Sequence, residues 1–386
     1  MKQYGVNKEY TIETVRDACT GCRVCEKICP VHCIQMEEDQ DGFIYPVIQP
    51  DKCISCGMCL KKCHLTKELS PSPQIETGGY GNAKEDQWRR EGSSGGAFSA
   101  LVEFVATQIS DKPFYVYGSI FDAVEQTIHQ QGYKYPHYKP LCQSKYVFSD
   151  PRNTFVETKE HLDLGEMVIY CGTPCQIGAL RQYVGCRTLG QLITVDFICH
   201  GVPSVSFLER HLHYITKGKP ASNVEFRSKA MGWKTHCLKV TKKDGIYLRK
   251  AGRDFYFAHF TMNDSLRSAC YDCHYSRAHV SDLTLGDFWE KSQYTLEESD
   301  DKGVSVVFAN TEIGKLMLQG MNATMTLTAL PKGYRRSKCG GNQKQHEQQK
   351  VFLKQLREHG IEHMERKFII EKPLRVIKRI RKKFLK

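Results

Sequence analysis

Apolar positions along the chain keep two different periods. Between Ala97 and Ile109 they fall at Phe98, Leu101, Val102, Phe104, Val105 and Ile109, the spacing of one buried helix face. Phe114 to Phe121 is instead a run of aromatic and β-branched residues, which predicts a strand. Two longer units share one arrangement. An apolar strand from Met167 to Cys171 opens into Gly172-Thr173-Pro174-Cys175-Gln176 and a helix through Leu180; a second, from Leu192 to Ile198, opens into Cys199-His200-Gly201-Val202-Pro203 and a helix from Ser204. Shorter strands are predicted at Asn223 to Arg227, Cys237 to Thr241 and Val304 to Ala309, with helices at Thr311 to Met321 and Lys344 to His359. Open α/β sheets collect ligands outside the carboxyl ends of their strands, where Cys175 and Cys199 both fall. The polar stretch holding His129 and His137 reads as solvated loop.

Cysteine changes the picture at the N-terminal end. Cys19, Cys22, Cys25, Cys29 and then Cys53, Cys56, Cys59, Cys63 write the C-x2-C-x2-C-x3-C spacing twice. That is the ligand pattern of a two-cluster bacterial ferredoxin, in which the fourth cysteine of each run serves the other cluster. The expected sets are Cys19, Cys22, Cys25, Cys63 and Cys29, Cys53, Cys56, Cys59. Structural zinc sites usually pair two short knuckles, so zinc or a disulfide framework fits this asymmetric repeat poorly. Pro30 follows the first run, whereas His64 follows the second, which loosens the turn without removing a ligand.

Charge adds a third feature. The 386 residues carry a net +12, yet Arg366 to Lys386 hold ten Lys or Arg against Glu371 alone, so the body is nearly neutral. From Pro373 onward, apolar Leu374, Ile377, Ile380, Phe384 and Leu385 alternate with cations, predicting a basic amphipathic helix begun by proline. Such a tail suits docking on anionic lipid headgroups, with a solvated tail and then an RNA contact as the alternatives, and no nucleic-acid partner is expected. The N-terminus is polar, without a signal-peptide segment, and no apolar run approaches the roughly 18 residues of a membrane span. These features place the protein in the cytoplasm, peripheral at the inner face of the membrane.

Two further sites stay open on residues alone. Ser93-Ser94-Gly95-Gly96 before the Ala97 helix is either a phosphate-binding helix N-terminus or an ordinary serine cap. Cys175, Cys199, Cys270 and Cys273 are either four more cluster ligands or small apolar core residues. In one order along the chain, Ser94-Gly95-Gly96, Ser144-Lys145-Tyr146-Val147, Gly172-Thr173-Pro174-Cys175-Gln176, Cys199-His200-Gly201-Val202-Pro203, Phe226-Arg227-Ser228-Lys229, Cys270-x2-Cys273 and Asp282-Leu283-Thr284-Leu285-Gly286-Asp287-Phe288-Trp289 follow the ferredoxin pair. This series resembles the beta-subunit family of deazaflavin-coenzyme (F-420) hydrogenases and dehydrogenases, from about Ala18 to Asn310. The resemblance implies FAD and a third 4Fe-4S cluster held by Cys175, Cys199, Cys270 and Cys273. It also implies Ser93, Ser94, Gly95 and Gly96 at the FAD pyrophosphate, and Lys145 and Asp287 near the flavin. Members act on deazaflavin, serve sulfite and chlorophyll-pigment reductases, or occur in surface-polysaccharide gene sets.

The expected fold is therefore an α+β two-cluster ferredoxin domain (1–65), a linker (66–77), an α/β flavin-binding domain (78–335) and a helical C-terminal region with the basic tail (336–386). Cys33, Cys142, Cys171, Cys186, Cys237 and Cys339 are read as structural. The expected function is a flavin-dependent iron–sulfur oxidoreductase that exchanges electrons with a ferredoxin-like partner and acts on a small or lipid- or nucleotide-linked substrate. A non-catalytic electron-transfer subunit and a deazaflavin-dependent dehydrogenase subunit are the alternatives. An open pocket lined by Arg227, Lys229 and Trp233 would favour the enzyme over the carrier.

Overall fold

The computed structural model describes residues 11–67, 77–109, 112–185, 191–276, 278–289, 300–334 and 340–384, with side chains described through residue 369. Most of the expected linker, Cys186, Cys339 and the side chains of the basic tail lie outside the described residues.

The N-terminal unit consists of helix α1 (Val24–Ile28), an antiparallel hairpin of β1 (Ile34–Glu38) and β2 (Ile44–Ile48), and α2 (Met58–Lys61). Each short helix starts on a left-handed residue, Arg23 (φ 64°) or Gly57 (φ 67°), immediately after a C-x2-C pair's second cysteine. Such a reversal turns the chain tightly enough to bring thiols three residues apart around one centre.

The rest of the chain is built on an eight-stranded mixed sheet. In chain order its parts are β3 (Gly78–Ala83), α3 (Asp86–Glu91), α4 (Ala97–Gln108), β4 (Phe114–Asp122), β5 (Thr127–Lys134), α5 (Thr154–Asp163), β6 (Met167–Cys171), α6 (Pro174–Val184), β7 (Leu192–Phe197) and α7 (Val205–Thr216). An antiparallel three-stranded sheet of β8 (Ala221–Ser228), β9 (Cys237–Lys242) and β10 (Gly245–Lys250) is inserted next, followed by α8 (Phe255–Thr261). The chain then returns through β11 (Leu283–Asp287), β12 (Ser305–Ala309), α9 (Glu312–Gly320), β13 (Met325–Ala329) and α10 (Gln343–Phe384). The large sheet runs β13-β3-β12-β11-β7-β6-β4-β5, with β11, β7, β6 and β4 mutually parallel and the flanking pairs antiparallel.

The parallel strands are mostly apolar, as strands covered on both faces are, with Thr194, Asp196 and Thr284 as buried polar residues among them. Val168, Ile169, Tyr170, Val195 and Leu283 are fully buried. Registers place the functional loops at one end. Asp287 at the close of β11 pairs with Ser305 at the start of β12, and Ser305 pairs with Gly81 of β3. The loops after β6, β7 and β11 and the one leading into α4 thus share the carboxyl edge of the parallel strands.

Three expectations change. The stretch expected as loop contains β5, and His129 is buried at 3% exposure, with Nδ1 2.9 Å from the Gln130 carbonyl; His137 is exposed. Thr127, Gln130 and Gln131 carry no strand signal, so only cross-strand pairing with β4 reveals it. The helix expected to start at Pro373 is backbone-helical from residue 361 through 384, so Pro373 lies within it; the break falls at Gly360 (φ 72°). The Ala97 helix has no serine cap: its N-cap is Gly96 at φ 85°.

A buried ion-pair cluster ties α10 to the core. His211 of α7 faces Asp254 at 3.0 Å and Glu365 at 3.3 Å, with all three almost fully buried. Burial opposes the imidazolium, but the two carboxylates outweigh it and push its pKa up to about 9. The contribution to stability is complete below the ordinary value of 6.5 and is lost as pH rises through about 9. The unfolding temperature is expected to fall across that interval, and His211→Gln to flatten the fall; equal slopes in a thermal melt series would contradict this.

Candidate functional site: three thiol quartets and the sheet edge beside them

Two cavities in the N-terminal unit coincide with the two expected ligand sets. One is lined by Cys19, Cys22, Cys25 and Cys63 together with Ile12, Val24 and Met36. The other is lined by Cys29, Cys53, Cys56 and Cys59 with Ile34, Ile48 and Ile54. Each draws its fourth cysteine from the other run. The walls are mostly apolar, and Arg23 at the first is paired with Glu26 and Asp150; burial raises Cys25 well above its ordinary value and pushes Cys63 up to about 11. Metal coordination is what holds such groups as thiolates. Cys29 differs, because the N–H groups of Cys33, Val31 and His32 outweigh burial and hold its thiol below the ordinary value. The donor set and its cage of amides and aliphatic side chains fit a 4Fe-4S cluster in each cavity.

Cys33, expected to be structural, lines the second cavity, with its sulfur 3.4 Å from that of Cys29. Its position follows from the turn after Pro30 that leads directly into β1. The spacing Cys29-x3-Cys33 is the sequence signal that points to it.

Two cysteines of the third expected quartet, Cys175 and Cys273, lie near residues of the first cavity. Thr173-Pro174-Cys175-Gln176 is a complete capping box: the Thr173 side chain accepts from the Gln176 N–H, and the Gln176 side chain accepts from the Thr173 N–H. This fixes Cys175 in the first turn of α6, where burial raises its thiol and outweighs the backbone N–H groups that favour a thiolate. Cys199 lies two residues beyond β7, and the Gly201 N–H donates to its sulfur at 3.4 Å. The Gly21 N–H approaches Cys19 in the same way at 3.4 Å. Gly201 has φ 114°, and a Cβ there would lie 3.2 Å from the Cβ of Cys270. Tyr275 is within electrostatic reach of Cys175, Cys273, Cys22 and Cys63. Cys175 likewise acts on Cys22. Cys175 and Cys273 thus lie near Tyr275, and Cys199 and Cys270 lie on either side of Gly201.

Beyond this lies a polar group at the sheet edge. The Asp287 carboxylate accepts from Arg227 at 2.8 Å and from the Trp233 indole at 3.2 Å. Arg227 also donates to the Tyr146 hydroxyl at 3.2 Å, while its Nε and Nη2 are buried without a partner. His236 Nδ1 is another buried atom without one. Trp289 stacks on Trp233 with centroids 4.6 Å apart and is 40% exposed. Orphaned buried donors beside an exposed aromatic face suit a polar, planar ligand. Arg227 and Trp233 are themselves buried, so they do not line an open pocket.

The remaining candidates are tied to their own neighbours. Ser93 Oγ accepts from the Ser144 N–H at 2.7 Å, Ser94 Oγ donates to the Val304 carbonyl at 2.8 Å, and the Gly95 N–H donates to Ser305 Oγ at 2.9 Å. Lys229 donates to the carbonyls of Ser94 and Arg89. The loop is thereby pinned to the sheet, and Gly95 cannot be replaced there: a Cβ would lie 2.5 Å from the Gly81 carbonyl. The amide of Gly95 is spent internally, which leaves the first turn of α4 to meet a phosphate. Lys145 donates to the carbonyls of Cys142 and Pro140, and burial pushes its pKa down to about 8. Asp282 of the Asp282-to-Trp289 motif is structural: it accepts from Arg181, Thr194 and Thr311.

This arrangement defines a ferredoxin-type iron–sulfur unit followed by an α/β unit on a mixed sheet. Residues 18–66 match the family model of the 4Fe-4S dicluster domain, and residues 165–332 match that of the C-terminal part of the coenzyme F420 hydrogenase/dehydrogenase beta subunit. The region 165–332 thus matches the C-terminal part of that beta-subunit family, and the dicluster domain lies ahead of it. A ferredoxin of Rickettsia felis is 35% identical over 63 residues, 16% of this chain and 53% of that protein. Ferredoxin-1 of Caulobacter vibrioides is 36% identical over 67 residues, 17% of this chain and 54% of that protein. The chain spans about half the length of the curated relatives it matches. A chain of the F420-reducing [NiFe] hydrogenase complex from Methanosarcina barkeri, solved in a xenon derivative, aligns with 75% of this chain and 93% of its own length, at 14% identity and a TM-score of 0.47.

Proposed function

We propose that this protein is an iron–sulfur flavoprotein that carries electrons between an external ferredoxin-like protein and FAD. In this reading Cys19, Cys22, Cys25 and Cys63, then Cys29, Cys53, Cys56 and Cys59, and finally Cys175, Cys199, Cys270 and Cys273 hold 4Fe-4S clusters. The observation that supports it is the coincidence of two cavities with the two N-terminal quartets, each drawing a cysteine from the other run, with Tyr275, near Cys273, hydrogen-bonded to His64, next to Cys63. Clusters supply one-electron transfer, and a flavin joins it to a two-electron step. The chain's own residues do the rest. The first turn of α4, behind Ser93, Ser94, Gly95 and Gly96, binds the pyrophosphate. Arg227, held by Asp287 and Tyr146, offers its orphaned N–H groups to the ring system, and Trp289 covers it. Lys145 contributes a cation from the neighbouring loop.

The substrate class is a small or lipid- or nucleotide-linked molecule, with surface-polysaccharide chemistry and deazaflavin both belonging to this proposal. So does a cytoplasmic location in which the basic tail docks on anionic lipid; among the described residues no helix is long and apolar enough to cross a membrane. The burial of Arg227 and Trp233 favours a second reading, an electron-transfer subunit whose substrate site lies on a partner in a larger redox complex.

Anaerobic titration with dithionite tests the flavin part. Bound FAD is expected to bleach together with the clusters, and Arg227→Ala to weaken flavin retention while sparing iron. Protein that holds iron yet retains no flavin would contradict it.

A further inference from the structure

The two N-terminal quartets are not equivalent in their surroundings. In the second, Ile54, Ser55 and Cys56 are exposed, Ile54 at 62%. In the first, Cys19, Cys25 and Cys63 are buried, and the unusual residue after Cys63 turns inward. His64 is 3% exposed; its Nδ1 lies 2.7 Å from the Tyr275 hydroxyl and its Nε2 3.1 Å from Thr20 Oγ1, next to Cys19. Tyr275 is 1% exposed and stands two residues after Cys273. Room for it is made at Gly178, one turn beyond Cys175, where a Cβ would lie 2.0 Å from the Tyr275 oxygen. Three thiol-bearing segments therefore meet at one hydrogen bond: Cys63 through its neighbour His64, Cys273 through Tyr275, and Cys175 through the helix that accommodates the ring.

We propose that the quartet Cys19, Cys22, Cys25 and Cys63 is the inner N-terminal site, and that the His64–Tyr275 hydrogen bond is its junction to the quartet Cys175, Cys199, Cys270 and Cys273. The quartet Cys29, Cys53, Cys56 and Cys59 is then the outer port, where an external one-electron carrier docks. This rests on the relay reading above and adds its order. Each transfer oxidises one site by one electron and reduces the other by one; His64 and Tyr275 gain and lose nothing, and no proton leaves the pair. They are positioning residues. The proline common at the position of His64 has no hydrogen-bonding side chain and cannot make this contact.

The test uses the full chain, purified anaerobically and reduced with dithionite. In low-temperature electron paramagnetic resonance, the third-quartet signal is expected to be broadened by dipolar coupling to the inner site. Cys22→Ala should abolish that broadening, and Cys56→Ala should leave it. The reverse pattern would overturn the order. Independently, Tyr275→Phe keeps the ring and removes the hydrogen bond. After flash photoreduction its inner-to-third transfer should slow several-fold, with iron content unchanged and only a modest fall in melting temperature, and His64→Phe should reproduce the slowing. Wild-type rates in both variants would overturn the junction. Wild-type protein with only two iron–sulfur signals would instead remove the relay reading, a failure recognisable before any variant is made.

Discussion

Cys175→Ala is expected to remove one cluster and spare two, lowering iron from about twelve to about eight per chain, four per site. The capping box that positions Cys175 uses Thr173 and Gln176, not the thiol, so α6 and its buried face remain intact. What is lost is a ligand at a helix N-terminus, where burial already raises the free thiol and only coordination makes a thiolate favourable. Reduction of bound flavin through the N-terminal unit should be lost with it, while dithionite still bleaches the two remaining clusters. Cys237 provides the contrast. It is fully buried on β9, its thiol donates to the Thr235 carbonyl, and Cys237→Ala should keep all the iron. Iron assay and visible absorbance of the two variants, side by side, check the prediction; equal iron content in both would contradict the third site.

Arg267→Met is expected to destabilise the seat of the N-terminal unit by about 3 to 5 kcal/mol, the scale for breaking a buried charged contact. Its guanidinium is 1% exposed and donates to the Cys19 carbonyl and the Ile44 carbonyl, both at 2.6 Å. It also stands 4.3 Å over the Tyr45 ring. Methionine fills the volume but leaves both carbonyls without a donor in a closed space. Because Cys19 is one of the acceptors, loss of the clamp should also loosen the first cluster. Limited proteolysis of the anaerobic protein should then release the N-terminal unit far sooner than in the wild type. Unchanged cleavage and iron retention would show that the clamp is dispensable.

The legible parts of this protein are those written in local spacing. The cysteine quartets, the strand-to-helix turns after β6 and β7, and the Gly-Asp-Phe-Trp segment each carry their meaning within a few residues. Contacts that close over long separations are not legible. Nothing near His64 announces Tyr275, 211 residues later, and nothing near Cys19 announces Arg267. β5, β10 and β13 escape for a related reason. They are edge strands rich in polar residues, exposed on β10 and β13 but buried at His129 and Gln130 of β5, so only the register with β4, β9 and β3 identifies them. Cys33 escapes because it stands outside the quartet spacing, whereas the turn after Pro30 returns it to Cys29 at the cavity wall.

In the proposed relay, twelve cysteine sulfurs hold iron. Counting iron, acid-labile sulfide and flavin per chain in protein purified without oxygen tests this most directly. About twelve irons, as many sulfides and one FAD are expected. Zinc in place of iron, or thiolates that bind no metal, would contradict it.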